Sequence, residues 1–203
     1  HHGLFGNTSW SFPFTAHNIN MQIPLILSHK GKIAEGQQSD KIINQYDMFP
    51  TLLDYAGMGD KRIANSPGKS FAPMLEGENV KEWDDAAFFE FVTVRVIRTS
   101  QWKYMKRLDD DEPNTLYDLK NDPEERNNLV DDADYAETRK SLDKRLTAFF
   151  SQYSDEKYDV WNGGSAKGIL LEKYYGRDDI FTSRFPNWKE PRLEKASHVF
   201  TDL

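Results

Sequence analysis

Hydrophobic and polar positions change rhythm along the chain, and each rhythm predicts an element. Gln22 to Ser28 is almost continuously apolar, the pattern of a strand covered on both faces in the central sheet of an α/β protein. Such a strand needs neighbours, and the sequence offers few parallel partners for it. Lys41–Asn44 reads as another short strand. Phe49, Leu52, Leu53 and Ala56 recur at i, i+3, i+4 and i+7 and predict a helix with one apolar stripe. Asp47 is its expected cap, Pro50 is tolerated in its first turn, and Gly57 and Gly59 end it. Residues 60–80 read as a loop with a helical turn over Phe71–Leu75.

From Ala86 the pattern alternates. Ala87–Phe91, Thr93–Thr99, Trp102–Lys106 and Thr115–Leu119 are strand-like and predict a small antiparallel sheet of four strands. Ser100-Gln101 is short enough for a hairpin turn. The run Asp109-Asp110-Asp111-Glu112 reads as a solvated loop tip. Tyr135–Tyr153 returns to helical spacing, with Leu142, Leu146, Phe149, Phe150 and Tyr153 on one face. That helix should pack on the small sheet as a two-layer α+β unit. Residues 154–203 are rich in aromatics but weakly periodic, as in a tail wrapped over a body. The expected organisation is an incomplete α/β domain over 1–80, an α+β subdomain over 81–153, and the tail over 154–203.

Composition narrows the chemistry. The 203 residues carry a formal charge of −7, which argues against a general nucleic-acid binder. No apolar run is long enough to span a bilayer as a helix. There are no cysteines, so this chain holds no disulfide, no Cys-ligated zinc and no Cys nucleophile. No pair of histidines has zinc-site spacing.

The densest stretch is Leu116-Tyr117-Asp118-Leu119-Lys120-Asn121-Asp122-Pro123-Glu124-Glu125-Arg126-Asn127-Asn128-Leu129. By local rules it is a strand, a turn and a helix start, with Asp122 as N-cap and Pro123 in the first helical position. It resembles the "LYDLxxDPxExxNL" signature near the C-terminus of type I sulfatases, in the alkaline phosphatase superfamily. Further segments are similar to that family's pattern in the same order: His1-His2-Gly3-Leu4-Phe5-Gly6, Gln22-Ile23-Pro24-Leu25-Ile26, Ser39-Asp40 through Gly57, Gly68-Lys69-Ser70-Phe71, and Arg95–Thr99 with Trp102-Lys103-Tyr104. The resemblance covers roughly residues 1–153, with Trp161-Asn162-Gly163-Gly164 a weaker echo beyond.

The resemblance implies the C-terminal part of an alkaline-phosphatase-like sulfatase fold and hydrolysis of a sulfate ester, on a sulfated carbohydrate or an aryl sulfate. It also implies a formylglycine nucleophile that attacks sulfur, and a calcium ion that, with basic residues, stabilises charge on the transferring group. The maturation segment and the usual calcium ligands lie upstream of His1 in the family pattern. This chain alone is therefore expected to be inactive, to bind no metal, and to need a missing N-terminal part as its partner. By the same resemblance the compartment is periplasmic, secreted or lysosomal. Two other readings stand beside it: a phosphonate or phosphodiester hydrolase of the same superfamily, and a non-catalytic binder of sulfated glycans.

Four residues are singled out. His2 is the expected donor or general acid near the sulfate or leaving oxygen, against a plain loop histidine. Asn7 stands where the family carries a lysine that donates to the sulfate; it donates a hydrogen bond but no charge. Trp10 offers a face for stacking on sugar, against ordinary packing. Arg95 and Arg98 lie on opposite faces of one strand by parity. Arg95 is the one assigned to an anionic sugar, against a salt bridge. His17, His29 and His198 read as surface or structural.

Overall fold

The computed structural model describes residues 16–61, 63–91, 94–108 and 113–164. Two compact units divide the chain: 1–106 with 114–153, and 107–113 with 154–203.

The first unit is built on a meander of four antiparallel strands in the order β1-β2-β3-β4. They are β1 (Ala86–Phe91), β2 (Val94–Thr99), β3 (Trp102–Arg107) and β4 (Thr115–Asp118). Phe88 pairs with Ile97 across β1 and β2, and Tyr104 with Leu116 across β3 and β4. This register puts the large apolar residues of alternate positions on one face. The long helix covers that face, with Leu142, Leu146 and Phe150 buried against Phe88, Ile97, Tyr104 and Leu116. Phe149 stacks on Phe88 with ring centroids 4.1 Å apart. The expected two-layer α+β unit is thus the architecture observed. The helix proper runs Ala136–Tyr153, led in by a 3-10 turn over Ala133–Tyr135 in which Asp132 accepts the Asp134 N–H.

The second face of the sheet is also covered. Val94, Val96, Met105 and Tyr117 pack there with Ala16 and Leu119. Beside them a short helix, α1 (Asn18–Met21), brings in the N-terminal side of the described chain.

Three expectations need correction. Gln22–Ser28 is not a strand, and neither is Lys41–Asn44. A buried strand must exchange hydrogen bonds with neighbours, and among the described residues the sheet of β1–β4 takes in neither segment. Ile23, Leu25 and Ile26 stand exposed instead, Ile26 by 88%.

Second, helix α2 (Gln45–Tyr55) starts earlier than expected, with Asn44 as N-cap. Asp47 sits three residues inside and accepts the Asn44 N–H at 2.8 Å, one half of a capping box. Of the apolar stripe, its packed side takes in Leu53 alone. Asp47, Pro50, Thr51 and Leu53 are buried, while Phe49 and Leu52 are exposed. The reason lies in residues 68–71. Asp47 Oδ1 accepts the Lys69 N–H at 2.9 Å, and the Thr51 hydroxyl accepts the Phe71 N–H at 3.0 Å while donating to the Asp47 carbonyl at 2.7 Å. These hydrogen bonds satisfy the 68–71 backbone and turn the polar edge of α2 inward. The short helix α3 (Ala72–Leu75) follows directly, where a helical turn was expected.

Third, no helix begins at Asp122. A single turn closes with the Glu125 N–H donating to the Asp122 carbonyl, and Glu125 then takes φ 57°. A left-handed residue cannot continue a right-handed helix. Asp122 Oδ2 accepts the Asn127 N–H at 2.8 Å, and Asn128 Oδ1 accepts both the Leu116 and Val130 N–H groups. The signature is a side-chain-bonded loop that seals the edge strand β4.

In the second unit, Val160–Asn162 forms a 3-10 turn. Asp159 Oδ1 accepts the Trp161 N–H, and the Gly164 N–H returns to the Asp159 carbonyl at 2.7 Å. A side chain at Gly164 would meet Asp159 and Glu156 backbone at about 2.6 Å, so this turn specifically uses glycine there.

Candidate functional site

Of the four residues singled out from the sequence, His2, Asn7 and Trp10 lie outside the described residues. Arg95 lies on the helix-facing side of the sheet, two positions from Ile97. Its Nε donates to Glu90 at 2.5 Å and its guanidinium lies 4.2 Å from the Phe150 ring centroid. The side chain is 9% exposed. Arg98, three residues on, faces the opposite side, as parity requires.

That opposite side holds a polar group that sequence reasoning missed. Lys103 occupies an inward position of β3 beside Val96 and Met105, and is fully buried. Its ammonium lies 2.7 Å from Glu125 Oε1. Glu125 Oε2 accepts the Asn18 N–H at 2.7 Å and meets His17 Nδ1 at 3.0 Å. Asn18 Oδ1 accepts from Lys103 Nζ at 3.3 Å and from Arg98 Nε at 3.4 Å. The His17 ring packs against Tyr117, centroids 5.6 Å apart. The Glu125 carboxylate therefore gathers two segments far apart in sequence, His17–Asn18 and Lys103, and Arg98 joins them through Asn18. The signal was present in the sequence. Lysine at an inward position of a strand covered on both faces calls for a buried acid.

Burial pushes the Lys103 ammonium down to about 8 against the pull of Glu125. Burial pushes the Glu125 carboxyl up, but the His17 hydrogen bond and the Lys103 charge outweigh it and hold the carboxyl below its usual value. Asp47 goes the other way. Its burial outweighs the Lys69 and Asn44 N–H groups and raises it.

Among the described residues, no group of three or more His, Asp or Glu side chains is placed to hold a metal ion. The calcium implied by the family resemblance does not fit these residues. No helix among the described residues is long and apolar enough to cross a membrane.

Comparison with known proteins fits this geometry. The family N-sulphoglucosamine sulphohydrolase, C-terminal, matches residues 6–152. The match takes in the whole sheet, the Glu125 loop and nearly all of the long helix. The chain belongs to this family, as a C-terminal portion of a type I sulfatase. It is similar to an N-acetylglucosamine-6-O-sulfatase of Bacteroides thetaiotaomicron, 31% identical over 68% of this chain and 26% of the relative. It is also similar to a Delta 4,5-hexuronate-2-O-sulfatase of the same organism, 34% identical over 68% of this chain and 31% of the relative. A solved structure from work on glycosaminoglycan metabolism by Bacteroides thetaiotaomicron shares the fold, with 22% identity, a TM-score of 0.55, and coverage of 77% of this chain and 32% of that one. The chain thus spans between a quarter and a third of the length of the two sulfatases.

Proposed function

We propose that the chain is the C-terminal part of an enzyme that hydrolyses the sulfate ester of a sulfated carbohydrate. The observation that carries this is the family match across 6–152, which joins the Gly6–Asn7 segment, the sheet and the Glu125 loop in one order. Two of its relatives are named for sugar sulfates.

In this proposal the nucleophile, the calcium ion and its ligands belong to sequence ahead of His1, and that part of the parent protein is the partner of this chain. The outward apolar side chains support such a partner: Ile23, Leu25 and Ile26, and Phe49 and Leu52 on α2. His2 supplies a proton or hydrogen bond at the leaving oxygen, Asn7 hydrogen-bonds a sulfate oxygen, and Trp10 stacks on the sugar ring. Arg95 is proposed for an anionic group of the sugar. Its pairing with Glu90 and its seat over Phe150 support a packing role more directly, because it would have to leave both.

The test is an assay of the full-length parent protein on sulfated mono- and disaccharides, an aryl sulfate, and matched phosphate and phosphonate esters. Preference for sugar sulfates is the expected result. Faster turnover of the phosphonate or phosphate esters would replace the reading, and binding without turnover would make the parent a glycan-binding protein.

A further inference from the structure

The fold treats Arg95 and Arg98 of β2 differently. Arg95 is held as a structural arginine is, with its Nε on Glu90 and its guanidinium over Phe150. Arg98 has no carboxylate partner among the described residues. Its one acceptor there is Asn18 Oδ1, 3.4 Å from Nε, and that oxygen also accepts from Lys103 Nζ at 3.3 Å. The Glu125 carboxylate is already engaged by Lys103, His17 and the Asn18 N–H. Ala87, which pairs with Arg98 across β1 and β2, has no polar group to offer.

A guanidinium keeps its proton and presents its N–H donors in a rigid fork. The terminal donors of the Arg98 fork are unmatched, although the side chain is half-buried. Lys103 and Glu125 balance each other, so Arg98 leaves the group with an excess positive charge. Arg98 and Lys103 share one acceptor, and like charges held that close repel. After burial itself, the Arg98 charge also pushes the Lys103 ammonium down. For stability alone, an acid or an apolar side chain would serve better at this position. A local rule broken without a compensating gain marks a functional position.

We infer that Arg98 is an anion-recognition residue: the open edge of its guanidinium, backed by Lys103, takes a carboxylate or sulfate group of an acidic sugar. That the ligand is an anion rests on the geometry alone. That it belongs to a sugar rests on the proposed function. The fork matches the two oxygens of a carboxylate, or two of a sulfate, in a paired hydrogen bond. Such a ligand supplies the counter-charge that the fold withholds from Arg98 and gives to Arg95.

The experiment uses the full-length parent protein with Arg98→Met and Arg98→Lys. Glucuronate, inorganic sulfate and neutral N-acetylglucosamine are titrated by calorimetry, and denaturant midpoints are read without ligand. Arg98→Met weakens glucuronate or sulfate by about tenfold or more and leaves the neutral sugar unchanged. Arg98→Lys keeps the charge but not the fork; it loses less, and serves alone if Arg98→Met does not fold. The unliganded midpoint of Arg98→Met holds or rises, because a like charge beside Lys103 is gone. A structural arginine would give the opposite. A loss confined to glucuronate assigns the carboxylate, and a loss confined to sulfate assigns a sulfate group. No binding of either anion by the wild type, or equal binding by wild type and both variants, overturns the inference. A fall in the unliganded midpoint with a matching loss for all three probes overturns it too, since Arg98 would then hold the fold. Binding needs no turnover, so a parent inactive on every ester defeats the functional reading and leaves this test standing.

Discussion

The α-carbon of Gly68 lies against the carbonyl oxygen of Tyr46, with no room between them for a methyl group. The contact sets how closely residues 68–71 approach the start of α2, and so allows Asp47 and Thr51 to reach the Lys69 and Phe71 N–H groups. Gly68→Ala should force the two backbones apart and loosen both hydrogen bonds. A loss of about 2–4 kcal/mol is expected, read as a lower unfolding midpoint in denaturant. A loss under about 0.5 kcal/mol would show that the backbones yield freely.

One amide side chain ties the loop after β4 back to the strand. Asn128 Oδ1 accepts from Leu116 and Val130, and its Nδ2 donates to the Asn114 carbonyl. Asn128→Ala leaves the buried β4 backbone short of a partner and should cost about 1–3 kcal/mol. Asn128→Asp keeps the acceptor and should recover part of it. Chemical unfolding of the pair checks the order.

Alkaline stability should carry the mark of Lys103. Its value in the folded chain, about 8, lies below the ordinary 10.5. Well below pH 8 both states hold the proton, and no slope arises. Between these values the unfolded chain binds more protons, so stability rises with pH through this window. Relative to Lys103→Met, the wild type should gain roughly 2 kcal/mol between about pH 7.5 and 9.5. Parallel curves for the two proteins would refute the burial of a charged lysine. Glu125 acts on the acid side. Its carboxyl is held below the usual value, so its contribution is present above that usual value and is lost as pH falls through the folded one. Glu125→Gln should flatten that part of the acid limb.

Two arginines on one strand can be told apart. Arg95→Met keeps an aliphatic stem over Phe150, and the Glu90 side chain it no longer pairs with is 32% exposed and can take up water. The position of Arg95 predicts a stability change of about 1 kcal/mol or less and a KM for a sugar sulfate within about twofold. A KM raised tenfold or more would place Arg95 at the substrate.

Asn7→Lys restores the charge that the family pattern places near the sulfate. If Asn7 stands there, kcat/KM of the parent protein on a sugar sulfate should rise by roughly tenfold or more. No gain would mean that the loop follows another alignment.

The sheet and the long helix were legible because each buries one consistent face. Alternation from Ala86 and the spacing of Leu142, Leu146 and Phe150 both report that burial directly. The packed side of α2 was not legible. What buries Asp47 and Thr51 is a pair of backbone donors about twenty residues away, and no local pattern records them. The apolar texture of Gln22–Ser28 reports an environment that wants covering, not the presence of a paired strand. Glu125 was misplaced because Asp122-Pro123-Glu124 is a sound helix start, and what turns the chain there is a set of side-chain contacts, among them the buried lysine opposite, that no local pattern records. The expectations for His2, Asn7 and Trp10 fall outside the described residues.

The outward-facing Ile23, Leu25, Ile26, Phe49 and Leu52 have a practical consequence at the bench. Produced alone in water, these 203 residues will be sticky, and their light scattering will climb with concentration. Lysine in place of Ile26 will make such preparations better behaved without disturbing the sheet.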